Sequence, residues 1–328
     1  MGCKRFLLQV LVIALGMLAA GGARAAGGVD LTRQFLDAYG SDCAFGAAHV
    51  EVLRRHKVLL VPGYFGNLFP TYFADQLRWL ASIGVEREKV AVRSRRSVAI
   101  NAPIVAAAIR ESARPVILIT HSKGSVDALE ALRAESSLRT KVKGWVSLQG
   151  VFFGSPVANK LLDGSLLDPM VSTVILGFFG GTKESAQSLT TGASLAYYRD
   201  HATAIGRLVR EVPAIAFASA LDDTPGAHTQ TLLEIPRELM LREGIRSDGL
   251  VPIDAAVLPG MDFVKVSGVD HIAPVMPALH RFDRVRMTKA LLLLALRAPL
   301  RGLPRDAGCR AKPASGHIFP SEPRSRAG

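Results

Sequence analysis

The residues that most constrain this chain run Val116-Ile117-Leu118-Ile119-Thr120-His121-Ser122-Lys123-Gly124-Ser125. An apolar, β-branched run of strand length ends in a small-residue turn holding a serine. A helix-forming segment follows at once, Val126-Asp127-Ala128-Leu129-Glu130-Ala131-Leu132. Strand, sharp turn and helix with a serine at the apex form a nucleophile elbow. Such a turn lifts the serine oxygen above a sheet edge. The helix N-terminus beneath it offers N–H groups and the positive end of a dipole to a developing oxyanion. Gly124 stands two residues after the serine, as the pattern asks. Thr120 stands two before it, where the pattern has glycine, so a β-branched residue enters a crowded turn.

Three further segments complete a chemistry. Lys57-Val58-Leu59-Leu60-Val61-Pro62-Gly63-Tyr64-Phe65-Gly66-Asn67 reads as a strand opening into a turn with glycines at 63 and 66. A turn of this kind after a neighbouring strand supplies the second backbone N–H that an oxyanion hole needs. Ser247-Asp248-Gly249-Leu250-Val251-Pro252 places a carboxylate on a turn. Asp262-Phe263-Val264-Lys265-Val266-Ser267-Gly268-Val269-Asp270-His271 reads as a strand, a glycine loop and a histidine. A serine hydroxyl is a poor nucleophile at neutral pH and needs a base within hydrogen-bond reach, for which imidazole is suited. A carboxylate then fixes the imidazole tautomer. The chain order Ser122, Asp248, His271 matches one of the known triad orders and differs from those of chymotrypsin and subtilisin.

On these residues the chain resembles the α/β-hydrolases of the bacterial lipase and esterase kind. The motifs carrying the resemblance are Pro-Gly-Tyr-Phe-Gly (62–66), His-Ser-Lys-Gly (121–124), Gly-Ser-Pro-Val-Ala (154–158), Asp-Gly-Leu-Val-Pro (248–252) and Asp-His (270–271), spread over roughly residues 55–295. The resemblance implies Ser122 as nucleophile, Asp248 as acid and His271 as base, with Tyr64 and Lys123 giving the oxyanion-hole N–H groups. It implies an α/β-hydrolase fold: a mostly parallel central sheet, helices on both faces and an apolar cap insertion. It also implies a serine carboxylester hydrolase, a lipase or esterase, acting on lipid or other acyl esters with possible contact at a lipid surface. Two positions depart from the family. Pro62 stands where many lipases carry histidine, and Ala273, two after His271, stands where calcium-dependent relatives carry aspartate. No metal and no cofactor is expected. An acyltransferase or polyester depolymerase on the same triad, and a non-catalytic scaffold of this fold, remain the rival readings.

The 328 residues suffice for one large α/β domain with insertions, and 49% apolar content supplies a sizeable core. Aromatic content of only 6% disfavours a carbohydrate-binding or base-stacking surface, and no nucleic-acid partner is expected. Residues 1–25 read as a signal peptide. Lys4 and Arg5 precede an apolar run from Phe6 to Ala20, and Ala23-Arg24-Ala25 suits cleavage. A periplasmic or secreted location follows. Cys43 and Cys309 are the cysteines outside that segment, and a bridge between them is allowed without being required. The net charge of +12 is concentrated at the ends. The signal holds three cations and no acid, and residues 297–328 hold seven cations against Asp306 and Glu322. That tail, rich in Pro, Gly, Ala and Ser, reads as disordered. The body, 26–296, is only mildly basic.

Along the body a helical lead-in over 26–55 precedes strands at 57–61, 89–93, 116–120, 144–149, 214–219 and 263–266. Helical patterns fall at about 70–82, 101–113, 125–135 and 278–297, an alternation that predicts a mostly parallel sheet. Leu291 to Leu294 is too short an apolar run to span a bilayer and reads as a buried packing helix. The stretch 151–212 interrupts the alternation. Its apolar run from Leu161 to Phe179, with glycines at 177, 180 and 181, suits a cap over the serine. His121 is expected to be structural and the Lys123 ammonium solvated. Asp222 and Asp223 directly follow a strand and rival Asp248 as the acid. Arg93, Arg95 and Arg96 read as a solvated loop. His201, His228 and His280 lack partners at metal-ligand spacing.

Overall fold

In a computed structural model, residues 27–41, 45–64, 66, 68–163, 182–221, 231–277 and 282–296 are described. The expected signal peptide, the tail, Cys43, Cys309, Asp222, Asp223, His228, His280 and residues 164–181 of the expected cap lie outside them.

The chain opens on two short helices within the expected helical lead-in, α1 (Thr32–Tyr39) and α2 (Ala47–Arg54). Strand β1 (Lys57–Val61) follows, then α3 (Ala74–Ser82), β2 (Glu86–Lys89) and α4 (Val98–Glu111). Next come β3 (Val116–His121), α5 (Lys123–Ala134), a 3₁₀ turn (Ser136–Thr140) and β4 (Val142–Leu148). Helices α6 (Pro156–Leu162), α7 (Lys183–Gln187) and α8 (Thr191–Glu211) lead to β5 (Ala214–Ala220). Helix α9 (Thr231–Arg242), a 3₁₀ turn (Ile253–Ala256), β6 (Asp262–Ser267) and α10 (Arg284–Ala295) complete the body.

The six strands form one sheet in the order β2-β1-β3-β4-β5-β6, and every pairing is parallel. A parallel sheet needs cover on both faces, and the strand sequences show why this one gets it. Val58, Leu60, Ile117 and Ile119 point to one side, where Phe35 of α1, Leu80 of α3 and Leu291 and Leu292 of α10 pack. Leu59, Val61, Leu118 and Trp145 point to the other, against Val105 and Ile109 of α4, Leu129 and Leu132 of α5 and Leu208 of α8. The period-two alternation of strand side chains thus fills two cores from runs apolar at every position.

Two elements differ from the sequence reading. The second strand is Glu86–Lys89, three residues earlier than the apolar Val90 and Val92 suggest. It is an edge strand, and its charges suit an edge that must not pair further. Val90 N–H donates to Leu60 O at 2.9 Å at the end of the ladder, and Val90 and Val92 tuck into the core on the α4 side. Within 151–212, α8 buries Ile205 and Leu208 in that same core and enters β5, so this part of the stretch is the crossover between adjacent parallel strands β4 and β5. All the strands run in one direction, so their C-terminal ends, with Ser122 after β3 and the loops after β1, β4 and β6, lie along a single edge.

Candidate active site

Ser122 occupies the point where β3 becomes α5. Its backbone has φ 53 and ψ −127, a left-handed conformation that a side chain disfavours. The surroundings enforce it. Ser122 N–H donates to Leu148 O at 3.0 Å, extending the β3–β4 ladder to the tip of the turn. Two glycines let the backbones close in. A Cβ on Gly124 would lie 2.5 Å from Val61 O, and one on Gly63 would lie 2.8 Å from Ser122 Cβ. The loop after β1 is therefore seated directly against the serine. Thr120 is accommodated because its hydroxyl has partners beneath the turn. Oγ1 accepts from Trp145 Nε1 at 2.9 Å and lies 2.8 Å from Ser125 Oγ, which is 2.9 Å from Ser147 Oγ. The small Ser125 and Ser147 leave the space that a glycine at 120 would otherwise supply.

Asp248 and His271 meet. His271 Nδ1 lies 2.8 Å from Asp248 Oδ2, with both residues buried. The carboxylate is aimed by its own turn, since Oδ1 accepts Leu250 N–H at 2.9 Å and Val251 N–H at 2.7 Å. Oδ2 is left to the imidazole. His271 N–H in turn donates to Asp248 O at 2.9 Å, so the two loops are tied at backbone and side chain. With Nδ1 donating to the carboxylate, His271 keeps a lone pair on Nε2. Ser122 makes no side-chain hydrogen bond among the described residues.

Lys123 N–H sits at the first position of α5, where a helix offers no acceptor of its own. Tyr64 follows Gly63 in the loop packed on the elbow. These are the two residues whose N–H groups the family resemblance assigns to an oxyanion. The Lys123 side chain is a correction: it is fully buried instead of solvated, with Nζ 2.8 Å and 3.0 Å from the carboxylate oxygens of Asp127. Asn101 Nδ2 donates to Asp127 Oδ2 at 3.1 Å, and Asn101 Oδ1 accepts Arg93 N–H at 3.0 Å. Burial lowers the lysine pKa and raises that of Asp127 to about 6, each against the pull of its partner. Lys123 sits two residues past an apolar strand, and only the i,i+4 spacing to Asp127 hints at its pairing.

His121, expected to be structural, is buried, and its contacts are extensive. Nδ1 lies 2.5 Å from the Tyr72 hydroxyl, while Nε2 lies 2.9 Å from His271 O and 3.3 Å from Gln149 Oε1. Tyr72 and Gln149 were not picked out from sequence. The one available signal was a glutamine continuing the apolar run of β4. The side chains of Arg93, Arg95 and Arg96 are exposed.

No family model matches this chain, and no curated protein matches it. Solved structures do. A metagenomic carboxyl esterase shares 20% identity over 87% of this chain and 99% of its own, with a TM-score of 0.64. The mature form of the Bacillus licheniformis lipase BlEst2 shares 20% identity over 75% of this chain and 92% of its own, with a TM-score of 0.56. Together with the all-parallel sheet and the elbow after β3, these similarities show the α/β-hydrolase fold.

Proposed function

We propose that this chain is a serine carboxylester hydrolase with Ser122, His271 and Asp248 as its triad. The observation that supports the reading is the buried Asp248–His271 pair, whose His271 carbonyl is bonded to His121, the residue before a serine of positive φ. Ser122 Oγ attacks the ester carbonyl carbon while His271 Nε2 takes its proton. Asp248 Oδ2 keeps Nδ1–H in place and stabilises the imidazolium. The carbonyl oxygen gains negative charge and accepts from the N–H groups of Tyr64 and Lys123. One such donor was worth about 3–4 kcal/mol in a measured protease. His271 then protonates the departing alcohol oxygen, leaving an acyl-enzyme on Ser122. Water attacks the acyl carbon, His271 takes the water proton and returns it to Ser122, and the carboxylic acid leaves.

The carboxyl esterase and lipase neighbours support esters as the substrate class. The apolar run 161–179 supports a lipase-type acyl wall facing a lipid substrate, and the N-terminal apolar run supports export to the periplasm or beyond. The test is hydrolysis of p-nitrophenyl esters from acetate to palmitate by wild type and by Ser122→Ala. Hydrolysis by wild type alone is the expected result, and equal rates in both proteins overturn the assignment. Leu166→Ser with Leu167→Ser is expected to lower kcat/KM for palmitate far more than for acetate, because each buried methylene contributes about 0.8 kcal/mol. An equal loss at every chain length reduces the reading to a general esterase.

A further inference from the structure

We infer that His121, with Gln149 and Tyr72, is a positioning group that sets the backbone of the catalytic histidine and of the oxyanion loop at once. The inference rests on the triad proposed above. Donor and acceptor roles in this cluster follow from the partners. His271 O can only accept, so His121 Nε2 carries a hydrogen. Burial and the neighbouring His271 hold the His121 pKa well below its usual value, so the ring is neutral and Nδ1 must accept. The Tyr72 hydroxyl therefore donates to Nδ1, and its oxygen accepts Gly63 N–H at 3.1 Å. The resulting chain is directional, from Gly63 N–H to Tyr72 O–H to His121, and from His121 Nε2–H to the carbonyl of His271.

Gln149 adds the second half. Its Oε1 shares the His121 Nε2–H, and its Nε2 donates to Asp270 O at 2.9 Å and to Ser219 Oγ at 2.5 Å. Two consecutive carbonyls of the histidine loop, at 270 and 271, are thus gripped by side chains from the ends of β3 and β4. The Asp270 carboxylate turns the loop onward by accepting Ile272 and Ala273 N–H. At the other end, the bond to Gly63 N–H fixes the Pro62–Gly63 peptide, one peptide before the Tyr64 N–H.

Backbone strain marks the same group. Among the described residues the non-glycine positive φ values belong to Ser122 (53), Gln149 (48) and Phe73 (62), the last being the neighbour of Tyr72. Strain of this kind persists only where the surrounding structure over-determines it, and it gathers at functional sites. A histidine that merely filled space would need neither the fixed tautomer nor partners from both loops.

The test uses the full chain with p-nitrophenyl butyrate and compares His121→Leu, His121→Gln, Tyr72→Phe and, as a distant buried-histidine control, His56→Gln. Tm and circular dichroism are recorded for each. Misplacing a reacting group by an ångström costs about 100-fold. His121→Leu is expected to lower kcat about 10- to 100-fold with KM within about twofold. His121→Gln, which can still donate to the His271 carbonyl, is expected to recover most of that loss. Tyr72→Phe lowers kcat less, and His56→Gln leaves it unchanged. Should His121→Leu fail to fold, the isosteric Tyr72→Phe decides alone. The inference is overturned if Tyr72→Phe or a folded His121→Leu keeps wild-type kcat, if His121→Gln is as slow as His121→Leu, or if losses appear in Tm and KM but not in kcat. Failure of the triad itself shows separately, as undiminished hydrolysis by Ser122→Ala.

Discussion

Ser122 pays for its position with a backbone conformation suited to glycine. Positive φ at a side-chain-bearing residue costs on the order of 1–3 kcal/mol. Ser122→Gly is accordingly expected to unfold at a higher temperature than Ser122→Ala, both being inactive. Calorimetry of the two variants checks this, and a lower Tm for the glycine form contradicts the strain. At Asp248 the issue is the proton on His271 Nδ1. An amide in place of the carboxylate can offer N–H there and favour the wrong tautomer. Asp248→Asn is expected to lose on the order of 10⁴ in kcat with little change in fold. Serine, aspartate and histidine were all legible in the sequence, because each is announced by its own turn: small residues after an apolar strand, Asp-Gly, and a glycine loop after the last strand. Tyr72 and Gln149 were not, since a hydrogen bond between residues 49 apart leaves no local pattern.

At the scale of elements, α5 does two things. Its N-terminus begins directly after Ser122, and its first turn buries Lys123 against Asp127 and Asn101, which tie it to the loop leaving β2. A buried pair adds little net stability over an apolar replacement, but breaking it leaves an uncompensated charge, at a cost of about 3–5 kcal/mol. Asp127→Asn is therefore expected to be strongly destabilised in urea unfolding, whereas Lys123→Met with Asp127→Leu stays near wild type. A mild effect from Asp127→Asn contradicts the burial of that lysine. The pairing explains why the sequence misled here: an isolated lysine after a strand reads as solvated, and its partner becomes visible only once the helix is known to begin at 123. The edge strand misled for a related reason, since apolar periodicity located Val90 and Val92 while the strand pairing runs along the charged residues before them.

At the scale of the whole molecule, the parallel sheet brings loops distant in sequence to one edge, and buried polar groups lock them together. One consequence is a pH dependence of stability. The His121 pKa is lowered on folding by burial and by His271, and that of His56 is lowered by burial. Below their ordinary value near 6.5 the unfolded chain binds protons that the folded one refuses, so stability falls as pH drops through that value, by up to about 1.4 kcal/mol per pH unit for each such histidine. Asp127, raised to about 6, binds a proton on folding and offsets one such histidine in the same range. The difference between wild type and His121→Gln isolates His121: melting temperatures between pH 7 and 5 should decline more steeply in wild type, and equal slopes contradict a neutral buried imidazole.

The most direct measurement of the central claim is mass spectrometry of the purified chain after treatment with a fluorophosphonate. Such reagents phosphonylate a serine only where a base and an oxyanion hole activate it. A single adduct on the peptide holding Ser122 is predicted, absent in His271→Ala and strongly slowed in Asp248→Asn. An unlabelled Ser122 in folded wild-type protein, or equal labelling in His271→Ala, contradicts the account.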